Sequence, residues 1–149
     1  MSPLQLLRVL QTALRALVDD SAVQVFAAES VVLAVSGEDV RLDELMFPAA
    51  VLSLGGEEPH AEHPTLLRLT CSVTLFIMHE NGPHSEDALD ELETLVRRVR
   101  ETLSSRTLVN GVRFFAAAVS RPGPTLTNGP QFICSRQVVW RAELTAEEL

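Results

Sequence analysis

The chain has no lysine, no tyrosine, a single tryptophan, two cysteines and no apolar run approaching the roughly 20 residues that span a bilayer. Each scarcity removes a class of explanation. Cys71 and Cys134 both fall in stretches that read as strands, so they are expected as buried, reduced thiols rather than as a disulfide framework. Residues 4–17 are largely apolar but lack a basic flank and a small-residue cleavage site. They are not expected to act as a signal peptide, and synthesis in the cytoplasm is expected. All twelve basic residues are arginine, a coding bias rather than a device, and they are outnumbered by twenty acidic ones for a net charge of −8. With no basic stripe and no interleaved aromatics, a specific grip on nucleic acid is not expected. An acidic surface repels phosphate, which is either incidental solubility or useful in a part that DNA passes without sticking.

Catalytic signatures are missing as well. His60 and His63 are spaced i,i+3 with Glu62 between them, but Pro59 and Pro64 bracket them in a predicted loop and no third ligand stands at a recognised spacing. They read as solvated histidines, like His79 and His84. Asp19-Asp20 and Glu57-Glu58 are neighbours on predicted turns and do not converge across a cleft. Gly55-Gly56 lacks the Gly-Lys-Ser/Thr of a phosphate loop, and no Gly-x-Ser-x-Gly occurs. No metal, no cofactor and no enzyme class is expected.

What is present centres on residues 65–104. From 65 to 79 the chain alternates, with Leu67, Leu69, Cys71, Val73, Leu75 and Ile77 on one parity. Arg68, Thr70, Ser72 and Thr74 stand on the other, followed by Phe76 and Met78. A period of two with one wholly apolar face predicts a strand on a core. Its length is roughly 50 Å at about 3.3 Å per residue, which predicts an end that overhangs the core or bends at a bulge. Asn81-Gly82-Pro83 breaks the strand, and Ser85 is placed as the N-cap of a helix over about 85–104. Ala88, Leu89, Leu92, Leu95, Val96, Val99 and Leu103 form its apolar stripe over roughly 120°. Acids crowd its start and Arg97, Arg98 and Arg100 its end, in keeping with the helix dipole.

At 149 residues the chain is expected to be one domain with a core of its own. Ser2-Pro3 opens a first helix, about 3–18, whose apolar arc covers about half its circumference. Short strands are predicted at 22–28, 31–35 and 49–54, the last closed by Gly55-Gly56, with a polar loop over 55–64. A strand with Gly111 near its middle is predicted over 107–119, a loop over 121–130 and a final strand over 131–144. Arg136 interrupts the apolar face of that last strand. The expected fold is therefore α+β, a mainly antiparallel sheet with two principal helices and a strand-helix-strand-strand C-terminal half.

In element order, length and hydrophobic pattern the chain resembles the tail terminator (tail completion) proteins of long-tailed phages. The features that carry this are the opening helix, Phe47-Pro48-Ala49-Ala50-Val51-Leu52-Ser53-Leu54, the long strand, the acidic-to-basic helix and the closing strands. The resemblance implies a structural virion protein, not an enzyme, that forms a hexameric ring on the head-proximal end of the tail tube. Such a ring stops tube polymerisation and joins the tail to the neck or head. The implied partners are copies of itself, the tail tube protein and a neck or head-completion protein, with DNA passing through unbound and no membrane involved. The implied location is the tail-neck region of the virion, assembled in the host cytoplasm. Another head–tail connector or neck protein is one alternative, and a ferredoxin-like small-molecule-binding regulatory domain is an alternative of another class.

The wide arc of the first helix predicts a subunit contact at Leu4, Leu7, Leu14 or Val18, since one core neighbour accounts for one narrower stripe. Glu57, Glu58 and Glu62 are expected in a contact loop or on the rim of a central hole.

Overall fold

In order along the chain come α1 (Pro3–Arg15), β1 (Val31–Leu33), β2 (Ala49–Pro59), β3 (Leu66–His79), α2 (Glu86–Ser104), β4 (Leu108–Val109), β5 (Val112–Phe114), β6 (Val119–Pro122), β7 (Leu126–Asn128) and β8 (Gln131–Thr145). The computed structural model describes residues 3–34, 45–59, 66–79, 86–104, 108–109, 112–114, 119–123, 125–128 and 131–145. The fold is α+β. Its sheet runs β1-β2-β3-β8-β5-β4, with β6 and β7 also paired to β8, and every pairing is antiparallel except β1 with β2.

The alternating run forms one uninterrupted strand, and β8 pairs with it along its whole length, from Leu66↔Thr145 to His79↔Phe132. Leu69, Cys71, Val73, Leu75 and Ile77 are buried under the helices together with Cys134, Val138, Trp140 and Ala142 of β8. Each such leucine or valine side chain contributes about 1.5–3 kcal/mol on burial, which is what fixes the register. The opposite face holds a smaller cluster of Ala49, Val51, Phe76 and Ile133, packed by Leu45, Phe47 and Met78 among others. That accounts for the change from polar to apolar at Phe76 and Met78. Beside this cluster Ser53 Oγ and Ser72 Oγ, both buried, are hydrogen-bonded at 2.8 Å.

β5, β6 and β7 are antiparallel to β8, as β3 is, so they run parallel to β3 with β8 between them. Parallel strands need a crossover, and α2 supplies it, packing on β3 and β8. This makes a split β-α-β unit. Helix α1 packs against β1, β2 and α2. Its Gln11 Nε2 and Arg15 Nη2 both donate to Val31 O, at 2.8 and 3.2 Å, so the carbonyl at the edge strand's start is already satisfied.

Several expectations change. β2 does not stop at Gly55-Gly56 but continues to Pro59, with a register shift between Leu54 and Glu57. Two residues of β2 there, Gly55 and Gly56, oppose one of β3, Thr70, the geometry of a bulge. A Cβ on Gly55 would stand 3.3 Å from Thr70 Cβ, so the bulge brings the two backbones close where glycine fits best. The bend at a bulge thus lies in β2 rather than in the long strand, and the part of the predicted loop at 55–59 is strand. Residues 22–28 do not form a strand. Val18 bridges Gln24, Val25 N–H donates to Leu17 O at 3.0 Å, and a 3-10 turn spans Ala28–Ser30. The turn between is held by Asp19, whose Oδ1 accepts from Ser21 N–H at 2.8 Å and Val23 N–H at 3.0 Å. This turn also ends α1 at Arg15, earlier than residue 18.

The predicted strand over 107–119 is instead a reversal. Val109 pairs with Val112 and Leu108 with Arg113, so β4 and β5 are antiparallel neighbours. The Asn110-Gly111 dipeptide between them is the hairpin signal that a strand reading passes over. The predicted loop over 121–130 contains β7 and the end of β6, both laid along β8. Between them Gly123 N–H donates to Ser135 O at 3.1 Å, and a Cβ at that glycine would collide with Ser135 Oγ.

Candidate self-association surface

The buried residues of α1 are Leu6, Leu7, Leu10, Ala13 and Leu14. At about 100° per residue they cover an arc of roughly 120°, not the half-circle that the sequence suggests. Within that arc Leu14 is 0% exposed and Leu7 5%. Both belong to the chain's own core, which corrects their expected place at a subunit contact. The premise of a single core neighbour is also corrected, because α1 meets both the sheet and α2. Leu4 and Val18 are different: they are 49% and 48% exposed.

Among the described residues three further large apolar side chains are exposed, Val23, Met46 and Leu89. The spacing of Leu89 predicts a place in the core stripe of α2. It lies about 70° from the centre of that stripe, beyond Val96, and solvent reaches it. Val23 and Met46 carry no periodic signal because neither lies in a helix or a strand.

Among the described residues, grooves lie beside both helices. One, of about 330 Å³, lies along α1 and is lined by Arg8, Val9, Thr12, Ala13 and Ala16. The other, of about 280 Å³, lies beside α2. Its lining combines Val25, Pro48, Ile77 and Leu95 with Asp90, Glu91, Thr94 and Arg98. Arg98 Nη2 stands 3.6 Å from Asp20 Oδ2, and Asp20 is almost wholly exposed, so solvent screens the pair.

Of the acidic residues expected near a contact or a central hole, Glu57 is exposed on β2 just past the bulge, opposite Leu69. Glu58 pairs in register with Arg68. Glu62 lies outside the described residues, as do His60, His63 and His84. His79 ends β3, half-buried. Among the described residues no three His, Cys, Asp or Glu side chains come together as a metal site would require. No described helix is long and apolar enough to cross a membrane.

Both cysteines are buried free thiols. Burial pushes the Cys71 thiol up to about 12, and burial together with the nearby Glu91 carboxylate raises that of Cys134. Both shifts disfavour the thiolate form near neutral pH. Asp19 is the opposite case: the backbone N–H groups of Val23 and Ser21 hold its carboxyl below the usual range. Arg136 pairs with Leu75 in register, which places it on the helix-covered face of β8, half-buried. Trp140 Nε1 is buried, with no hydrogen-bond partner among the described residues.

No protein-family profile and no characterised relative matches the chain.

Proposed function

We propose that the chain is a tail terminator of a long-tailed phage, a structural ring that caps the head-proximal end of the tail tube. The ring, a hexamer of this chain, stops tube polymerisation and presents its outer side to a neck or head-completion protein. The observation that carries this reading is the order of elements. An opening helix, a strand entered through Phe47-Pro48, a long strand, an acidic-to-basic helix and a long closing strand stand in the sequence that the resemblance implies. Two physical features support it. Apolar side chains at Leu4 and Val18 remain on the surface after the core is complete. The net charge of −8 suits a channel through which DNA slides without adhering.

The reading is tested by adding the purified protein to polymerising tail tube protein and viewing the product by electron microscopy. Tubes ending in a ring and ceasing to grow are expected; tubes that elongate unchanged contradict it. A second reading, a ferredoxin-like regulatory domain that binds a small molecule, is favoured by the split β3-α2-β5 unit. Against it, β1 and β2 are direct parallel neighbours with no strand between them, so a second split unit is not formed by these strands. A melting temperature that rises with a small molecule, in a protein that never self-associates, would favour this second reading.

A further inference from the structure

Helix α1 is a basic and apolar segment in an acidic chain. Across Pro3–Arg15 it carries Arg8 and Arg15 and no acidic residue. Arg15 is committed to its own chain, donating to Ala28 O at 2.9 Å and Val31 O at 3.2 Å. That leaves Arg8 as the cation of the outer face. It is exposed one turn from Leu4, so an apolar side chain and a guanidinium stand at i,i+4 beside a depression floored by Ala13 and Ala16.

The first half of α2 is the reverse. Glu86, Asp87, Asp90, Glu91 and Glu93 stand there with no base among them. Asp90 and Glu91 line a groove together with Val25, Pro48, Ile77 and Leu95, and the one base in its lining, Arg98, is drawn toward Asp20 at 3.6 Å. A groove of this chemistry takes an apolar side chain next to a cation. Copies of a chain with net charge −8 repel one another at long range, so a contact that pairs opposite charges locally is favoured over one that does not.

We infer that α1 of one copy docks on the groove beside α2 of a second copy, with Leu4 over its apolar residues and Arg8 against Asp90 and Glu91. The contact deepens the self-association on which the ring reading rests. It joins two different patches, and contacts of that kind build closed rings or open filaments. The side chains involved are exposed or line open grooves, so altering their charge leaves the core intact.

The test uses the full chain in two reversed forms, Arg8→Glu and the double variant Asp90→Arg with Glu91→Arg. Each is checked for native folding by circular dichroism and followed by sedimentation velocity over a concentration series. Each form alone sets like charges against each other, and its association weakens by about tenfold or more. Mixed in equal amounts, the two forms restore opposite charges. The Arg8→Glu helix meets the groove made basic in the double variant, and Arg8 of the double variant meets the unaltered Asp90 and Glu91. Association then returns to the wild-type level. Raising the salt weakens both the wild-type and the mixed assemblies. Wild-type protein that stays monomeric throughout overturns the contact, as do single forms that associate like wild type or a mixture that stays dissociated. A mixture that behaves as expected while the wild type fails to cap tubes leaves the contact standing and removes the tail reading; capping by both single forms does the converse.

Discussion

Helices α1 and α2 bury stripes of roughly 120° and 100° against the same side of the sheet, yet they are held there differently. α2 is the crossover between β3 and the strands beyond β8, and its outer face is charged along its length. α1 precedes every strand, lies at the β1 edge, and has few charges outside its stripe. Its polar side chains at Gln11 and Arg15 turn inward to hold the backbone of the edge strand. The difference teaches that an apolar arc in sequence is not one object. In α1 it divides into a core stripe, which includes Leu7 and Leu14, and a surface remainder, Leu4 with half-buried Val9.

The sharpest way to break that division is to put the same charge on both parts. Leu14→Glu should cost more than the about 2–5 kcal/mol of a Leu→Ala truncation in a core, because it also buries a carboxylate. That is enough to unfold most domains of this size. Leu4→Glu should change stability by no more than about 0.5 kcal/mol. Urea unfolding followed by circular dichroism measures both. Similar costs at the two sites would mean that α1 does not divide as described.

A smaller effect compares one arginine from each helix. Arg15→Ala removes two hydrogen bonds to backbone carbonyls, and its expected cost is about 1–2 kcal/mol. Arg98→Ala removes a solvent-screened ion pair and should cost no more than about 0.5 kcal/mol. The melting temperatures of the two variants order them, and an Arg98 variant melting lower than an Arg15 variant would reverse the roles assigned to the helices.

Much of the sheet is legible in the sequence because β3, α2 and β8 each carry a long period. Their patterns are set by the faces they bury, and the faces are one contiguous core. The parts that sequence reasoning misses are short or depend on a distant partner. β6 and β7 lie in a segment containing Pro122, Pro124 and Gly123, which by itself reads as loop. It becomes strand because β8 offers an unpaired edge, and pairing with a long neighbour outweighs weak intrinsic preference. Proline is tolerated there because, among the described residues, β6 and β7 pair with β8 alone and so lie at an edge. Gly55-Gly56 reads as an end because a bulge and a turn use the same residue. Of the candidate surface, Leu4 and Val18 are legible as surplus apolar residues. Which others of the same arc are core depends on α1 touching two neighbours, a fact of tertiary packing.

The smallest expected effect concerns the turn that ends α1. The Asp19 carboxyl is held below its ordinary value of 3.8, so the turn is favoured above that pH and loses this contribution as the pH falls through the lowered value. Asp19→Ala should make the helix-to-turn junction insensitive to acid in that window. Amide exchange or backbone chemical shifts at Ser21 and Val23, measured as pH is lowered, report it. An acid response of those amides that persists in the variant would show that another group controls the turn.

The claim that the chain builds a ring is tested most directly by the mass of what it forms in solution. Sedimentation equilibrium of the wild-type protein over a concentration series should show growth from monomer toward a hexamer, with Leu4→Glu shifted toward monomer while still folded. A wild-type chain that remains a monomer at every concentration, with or without tail tubes present, would contradict the account.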